Sequence, residues 1–370
     1  MPAAGYAGTG CDVRRLLEAS LVCGPLGEPG LFVDLRDERR ALLFDLGELG
    51  GLSPRKLMRV SHVFVSHTHM DHFAGFDTLL RVVLGRKERL VFVGGPGFVD
   101  QVEHKLRAYT WNVVHRYAVE LVLEVREVGL DGPGRRAAFS SRSSFARQGD
   151  EPWSSPGNVL LDEAAWCVRG AFVDHEMPCL AFAIEEKPRP RVAKDRLAAL
   201  GVTTGAWLRE LKAAVLAQAP PDTPIRVRWR NRSGEHERLR PVGELAAVLL
   251  DTAPGRRVGY VTDLRFHDGN RAVLRALLQG VDQLFIESVF LEADSDHARR
   301  KNHLTARQAG SIARELGARH VVPFHVSPRY GERAAELAAE LRAAWQCGPP
   351  PQASAATGGE VACEWTRSLG

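Results

Sequence analysis

Residues 63–75, reading Val-Phe-Val-Ser-His-Thr-His-Met-Asp-His-Phe-Ala-Gly, constrain this chain more than any other stretch. His67, His69, Asp71 and His72 form an H-x-H-x-D-H pattern between an apolar run (Val63, Phe64, Val65) and an amphipathic one. Alternate side chains of an extended chain point the same way, so His67 and His69 can converge on one ion. Phe73, Phe76, Leu79, Leu80, Val83 and Leu84 then recur at helical spacing up to Gly85, which places Asp71 and His72 where a helix begins. A strand that hands over to a helix across four ligand-type residues has the geometry of a dinuclear metal centre. Imidazole with carboxylate suits zinc, and manganese or iron can take the same donors. His62, His104, His115, His236 and His320 stand outside the pattern and read as core or surface histidines.

At 370 residues and 45% hydrophobic composition the chain can bury a sizeable core, either one large α/β domain or two ordinary ones. No run approaches the ~18 apolar residues of a membrane span. The start, Met-Pro-Ala-Ala-Gly, lacks the basic-then-apolar layout of a signal peptide, so a soluble cytoplasmic protein is expected. Cys11, Cys23, Cys167, Cys179, Cys347 and Cys363 include no C-x-x-C pair and are expected to be free thiols. The net charge of +4 does not by itself announce a nucleic-acid binder.

Taken in order, residues 31–34 and 41–45 read as a β-hairpin leading into the turn Asp45-Leu46-Gly47. A strand at 90–93 and a helix at about 98–108 follow the metal loop. Residues 132–157 are rich in Gly, Ser, Arg and Pro and are expected to be a mobile insertion. A strand at 168–173 ends in Asp174-His175, and a second runs over 179–185. Residues 225–232 would place Arg226, Arg228, Arg230 and Arg232 on one strand face, suited either to phosphates or to solvent. A buried-type strand at 257–262 delivers Asp263, a carboxylate able to lie between two metal ions or to serve as a turn residue. Thr305 with Gln308 makes a capping box, which puts His303 on the lip of a helix. A last core strand, 321–324, ends at His325 before a closing helix, and residues 347–370 read as a flexible tail.

The histidine pattern resembles that of the metallo-β-lactamase superfamily. Over about residues 8–330 the sequence is similar more narrowly to the ribonuclease Z family. The matching pieces are Ser66 to His72, Asp174-His175 with Pro178, the stretch from Gly255 to Asp263, Glu287-Ser288-Val289-Phe290, His303-Leu304-Thr305-Ala306-Arg307-Gln308-Ala309, and Phe324-His325-Val326-Ser327-Pro328-Arg329-Tyr330. The resemblance implies an αββα four-layer sandwich of two mixed sheets flanked by helices. It implies a single domain over residues 1–346, with a substrate-binding arm at about 187–250.

By position, the resemblance assigns His67, His69 and His175 to one zinc, Asp71, His72 and His325 to the other, and Asp263 to both. Asp71 is implied as the proton acceptor for the attacking water. His303, held by Glu287, is implied as the proton donor to the leaving oxygen. The implied substrate is precursor tRNA and the implied assembly a homodimer. The chain reads His303-Leu304-Thr305 where the family has His-Ser-Thr, and it lacks the prolines of the family's arm. These departures keep open a hydrolase of the same fold acting on a small phosphodiester, lactone or sulfate ester.

Overall fold

The computed structural model describes residues 16–36, 38–231, 234–253 and 255–346. The expected tail at 347–370, Arg232, Cys11, Cys347 and Cys363 lie outside the described residues. The chain divides into two compact units, one formed by residues up to 162, 168–184 and those from 257 on, the other by 163–167 and 185–256.

The first unit begins with eight strands lying side by side in chain order. These are β1 (Leu17–Leu21), β2 (Leu31–Leu35), β3 (Arg40–Phe44), β4 (Val60–Phe64), β5 (Arg89–Gly94), β6 (Val122–Glu127), β7 (Gly134–Ser140) and β8 (Arg147–Trp153). The pairings from β1 to β3 are antiparallel, those from β3 to β6 parallel, and those from β6 to β8 antiparallel. Parallel neighbours need crossovers. These are supplied by α1 (Pro54–Leu57), by α2 (Met70–Phe73) with α3 (Phe76–Val83), and by α4 (Phe98–Arg107). The α3 helix buries Phe76, Leu79, Leu80 and Val83, the face its sequence period marks out. They share one apolar cluster with Phe92, Val102 and Leu123.

Residues 132–157, expected as a mobile insertion, are instead largely a paired hairpin, β7 and β8, at the edge of this sheet. Ala137, Phe139 and Phe145 are buried in the same cluster, so the stretch does carry core residues. Its arginines are matched by acids: Arg135 meets Asp100 and Glu127, Arg136 meets Glu151, and Arg147 meets Asp100 and Glu103. A composition that resembles a solvated loop is here the charged outer layer of an edge hairpin.

A second sheet opens with β9 (Val159–Asp162), β10 (Trp166–Asp174) and β11 (Pro178–Glu186). The chain then builds the second unit. This contains β12 (Arg189–Val192), α5 (Lys194–Ala199), α6 (Trp207–Leu216), β13 (Pro224–Asn231), β14 (Gly234–Pro241), α7 (Val242–Leu249) and β15 (Leu250–Ala253). It has its own core of Leu197, Trp207, Leu208, Leu211, Ile225, Val227, Val242, Leu245 and Leu249. On the β13–β14 hairpin, Arg226 and Arg228 share Glu237 of the opposite strand, which relieves the repulsion along the arginine ladder.

The chain returns to the second sheet with β16 (Arg257–Val261), α8 (Asp268–Leu278), β17 (Gln283–Glu287), α9 (Ser295–Lys301), α10 (Ala306–Glu315), β18 (Val321–Phe324) and α11 (Ala334–Gln346). The strand order is β18-β17-β16-β11-β10-β9. One face of this sheet packs on α8, α10 and α11 through Val261, Ile286, Leu274, Ile312 and Leu341. The other meets the first sheet, where Phe44 and Phe64 face Phe182 at ring-centroid distances of 5.3 and 5.9 Å. Helices, sheet, sheet and helices thus stack as an αββα sandwich, with the strand ends of both sheets available to one site.

Candidate metal centre

The metal loop is clasped to the turn after β3. Leu46 N donates to His72 O at 2.8 Å, and Gly75 N donates to Leu46 O at 2.7 Å. Only glycine fits at Gly75, because a Cβ there would stand 2.2 Å from Gly47 O. His69 is extended (φ −60°, ψ 156°) and caps α2, which turns Asp71 and His72 into the first helical turn as the sequence period predicts. The other donors follow strand ends: His175 after β10, Asp263 just beyond β16, and His325 after β18. Asp45 and His325 adopt positive φ (57° each), a conformation uncommon outside glycine.

The seven residues expected as ligands come together. Donor atoms of His67, His69, His175 and Asp263 all lie within 4.8 Å of one another, and so do those of Asp71, His72 and His325. Asp263 Oδ2 stands 3.5 Å from His67 Nε2, 3.4 Å from His72 Nε2 and 3.6 Å from His175 Nε2. Asp263 Oδ1 lies 2.9 Å from His325 Nδ1, whose Nε2 is 3.1 Å from Asp71 Oδ2. Asp263 therefore touches donors of both groups. His303 joins from the lip of α10, its Nδ1 3.0 Å from Glu287 Oε2 and 3.9 Å from Asp263 Oδ1.

Outside this set, the structure reveals partners that the sequence pattern did not single out. His72 Nδ1 donates to Asp45 Oδ2 at 2.9 Å, and Ser66 Oγ donates to the same oxygen at 2.8 Å. Ser66 Oγ also lies 3.1 Å from His67 Nδ1, and Tyr260 OH donates to Asp45 Oδ2 at 3.0 Å. His175 Nδ1 donates to Asn302 O at 2.9 Å. These bonds occupy Nδ1 of His67, His72 and His175 and leave each Nε2 facing the centre. This is the arrangement that fixes the tautomer of a metal-binding imidazole. The available signal was Asp45 itself, a carboxylate at the end of an apolar strand.

The electrostatics are those of a cation site. Burial, and then the neighbouring His72, push the His67 imidazole down to about 2. Against the cost of burial, Asp263 and then Asp45 hold His72 well above its usual value. Asp263, likewise against burial, raises His325 to about 10. Burial disfavours the Asp263 carboxylate, but His325 and His72 hold it well below the usual range. The field of Asp263 and Asp45 that favours protons on His72 and His325 also favours a divalent cation in their place. His67 Nε2 and His72 Nε2 are buried without a hydrogen-bond partner, a costly state that coordination would relieve. Nitrogen and carboxylate donors with such orphaned lone pairs fit a divalent metal ion.

This fold and donor set define a metal-dependent hydrolase of the metallo-β-lactamase superfamily. The family description "Beta-lactamase superfamily domain" matches residues 212–326. Ribonuclease Z of Deinococcus radiodurans is 31% identical over 334 residues, covering 89% of this chain and 95% of that protein. Ribonuclease Z of Treponema pallidum is 27% identical over 307 residues, covering 80% of each. A long-form RNase Z from yeast shares the fold, with a TM-score of 0.50 at 12% identity, covering 86% of this chain and 38% of that one. The chain belongs to the ribonuclease Z family.

Proposed function

We propose that this protein is a zinc-dependent endoribonuclease that removes the 3′ trailer of precursor tRNA. The observation that carries the reading is the joining of both donor groups through Asp263, with the His303–Glu287 pair beside them. His67, His69 and His175 would hold one zinc, Asp71, His72 and His325 the other, with Asp263 shared. Bound there, two divalent ions would acidify water and neutralise charge on phosphate oxygens.

The side chains supply the rest. Asp71 is partly exposed, and although burial opposes it, the hydrogen bond with His325 holds its carboxyl below the usual carboxylate range, so it is ionised and able to orient a water, and it is the group we assign to accept that water's proton. Against burial, Glu287 raises the affinity of His303 for a proton. Its Nδ1–H is held by Glu287, and Nε2 is left to donate to the departing 3′-oxygen. The products would be a 3′-hydroxyl on the tRNA and a 5′-phosphate on the trailer.

The second unit supports an RNA partner. Residues 185–256 contain fourteen Lys and Arg against nine Asp and Glu, a positive excess that exceeds the net +4 of the whole chain. This unit overlaps residues 187–250, which we infer to act as the substrate-binding arm. The family resemblance further leads us to infer a homodimer acting in the cytoplasm. No helix among the described residues is long and apolar enough to cross a membrane.

The test is to incubate zinc-loaded protein with a precursor tRNA and, separately, with a chromogenic phosphodiester. Cleavage of the RNA at the trailer junction is the expected result. Hydrolysis of the small diester alone, with the RNA untouched and unbound at low salt, would replace this reading with that of a small-ester hydrolase.

A further inference from the structure

Three residues beyond Asp263 the chain presents an aromatic ring to solvent. Phe266 is 39% exposed, although burying such a ring would be favourable by roughly 2 kcal/mol. The loop that carries it is tightly anchored. Leu264 N donates to Glu287 Oε1 at 2.9 Å and Arg265 N to Asp174 O at 2.9 Å. Asn270 is buried, and its Nδ2 donates to Asp174 O and to Arg265 O at 2.8 Å each. Its Oδ1 accepts from Asp174 N at 2.7 Å. His267 caps α8 through Nδ1, and its Nε2 lies 3.2 Å from Asp174 Oδ2.

These bonds tie the loop to the neighbours of two metal-type donors, since Asp174 precedes His175 and Phe266 follows Asp263. Three residues of chain span at most ~11 Å, so the backbone of Phe266 lies within that distance of the backbone of Asp263. Its exposure is built in rather than left over from a slack loop. The Arg271 guanidinium lies 5.6 Å from the ring centroid and is itself held by Glu315 and Asp268. What remains exposed is a rigid, apolar, cation-backed surface suited to a flat partner.

We propose that Phe266 is a stacking platform for an unpaired nucleobase next to the scissile phosphate. This rests on the RNA reading above and adds to it a residue that grips the single strand. Single-stranded RNA offers splayed bases to aromatic side chains, and a stacking contact of this kind changes affinity by roughly tenfold or more. Arg265 and His267, themselves exposed, flank the ring and reach toward Asp174, and Phe266 is the apolar side chain between them.

The zinc-loaded protein and its Phe266→Ala and Phe266→Trp variants would be compared on a precursor RNA and on copies carrying one abasic nucleotide at each position around the cut. Metal content and Tm would be measured alongside. Phe266→Ala is expected to raise KM roughly tenfold with kcat changed less than about threefold, metal content and Tm holding, and Phe266→Trp restoring KM. One abasic position should weaken the unaltered protein yet add nothing to Phe266→Ala. An unchanged KM in Phe266→Ala, an equal loss in Phe266→Trp, or abasic effects that simply add to the variant's would overturn the platform. An unaltered protein that hydrolyses a chromogenic diester and leaves every RNA intact would instead overturn the RNA reading itself.

Discussion

Asp45 and His72 are 27 residues apart in sequence, yet His72 Nδ1 donates to Asp45 Oδ2 at 2.9 Å, and both side chains are fully buried. The same carboxylate receives Ser66 N at 2.7 Å, Ser66 Oγ and Tyr260 OH, so one acid orients His72 directly and His67 through the serine. Asp45 thus acts on the two most deeply buried histidines without being a donor to the metal groups.

Removing that carboxylate should loosen the metals while sparing the donor set. Asp45→Ala is expected to weaken metal affinity by roughly ten- to a hundredfold, read by competition with a chromogenic chelator. Tyr260→Phe removes one of several donors to Asp45 and should have a smaller effect in the same assay. Affinity in Asp45→Ala equal to that of the unaltered protein would mean that packing alone holds the imidazoles.

His303 and Glu287 make a prediction about pH. Burial opposes a charged His303, but the Glu287 carboxylate overcomes this and raises its affinity for protons above that of a free imidazole. In the proposed role of proton donor, His303 would work below its own titration, and activity would decline as pH rises through it. Glu287→Gln removes the negative charge, so the alkaline limb of the kcat profile should move to lower pH. His303→Ala should flatten that limb and reduce kcat by about a hundredfold or more. A limb unmoved in Glu287→Gln would assign the titration to another group.

Sequence reasoning reached the centre because its signals are local. Four donors fall within six positions, and the helical period that follows fixes where Asp71 and His72 stand. The capping box at Thr305 and Gln308 is present as its spelling suggests. Partners that are distant in sequence left no such mark: nothing near Asp45 announces that Tyr260, 215 residues away, will bond to it. The hairpin at β7 and β8 was missed for a different reason. A hairpin at a sheet edge with one charged face has the composition of a loop, and the acids that match its arginines lie on other elements or across the hairpin.

That hairpin should resist proteolysis. The bonds after Arg135 and Arg136 lie inside β7, whose pairing with β6 and β8 keeps the backbone from a protease. Trypsin is expected to cut them no faster than the unit as a whole unfolds, as judged by mass spectrometry of timed digests. Asp100→Ala removes the acceptor shared by Arg135 and Arg147 and should speed cutting there. Rapid cleavage of the unaltered protein at these bonds would return the stretch to a mobile insertion.

His62, set apart from the metal pattern in the sequence, gives the fold an acid-sensitive point of its own. It sits on β4 with 9% exposure, and burial, followed by the charges of Arg126, Arg40 and Arg89, lowers its titration to about 3. An unfolded histidine titrates near ~6.5, so between these values the unfolded chain binds a proton that the fold refuses. The neutral ring's contribution is intact above that upper value and is lost as the pH falls toward 3. By pH ~4 the loss is on the order of 3 kcal/mol. The metal donors also release their ions in acid, so the informative quantity is the difference between two proteins measured identically with chelator present. His62→Gln, which cannot take up a proton, should show a smaller drop in Tm than the unaltered chain between neutral pH and pH ~4. Parallel Tm curves for the two would show that His62 accepts its proton without disturbing the sheet, and that acid sensitivity arises elsewhere.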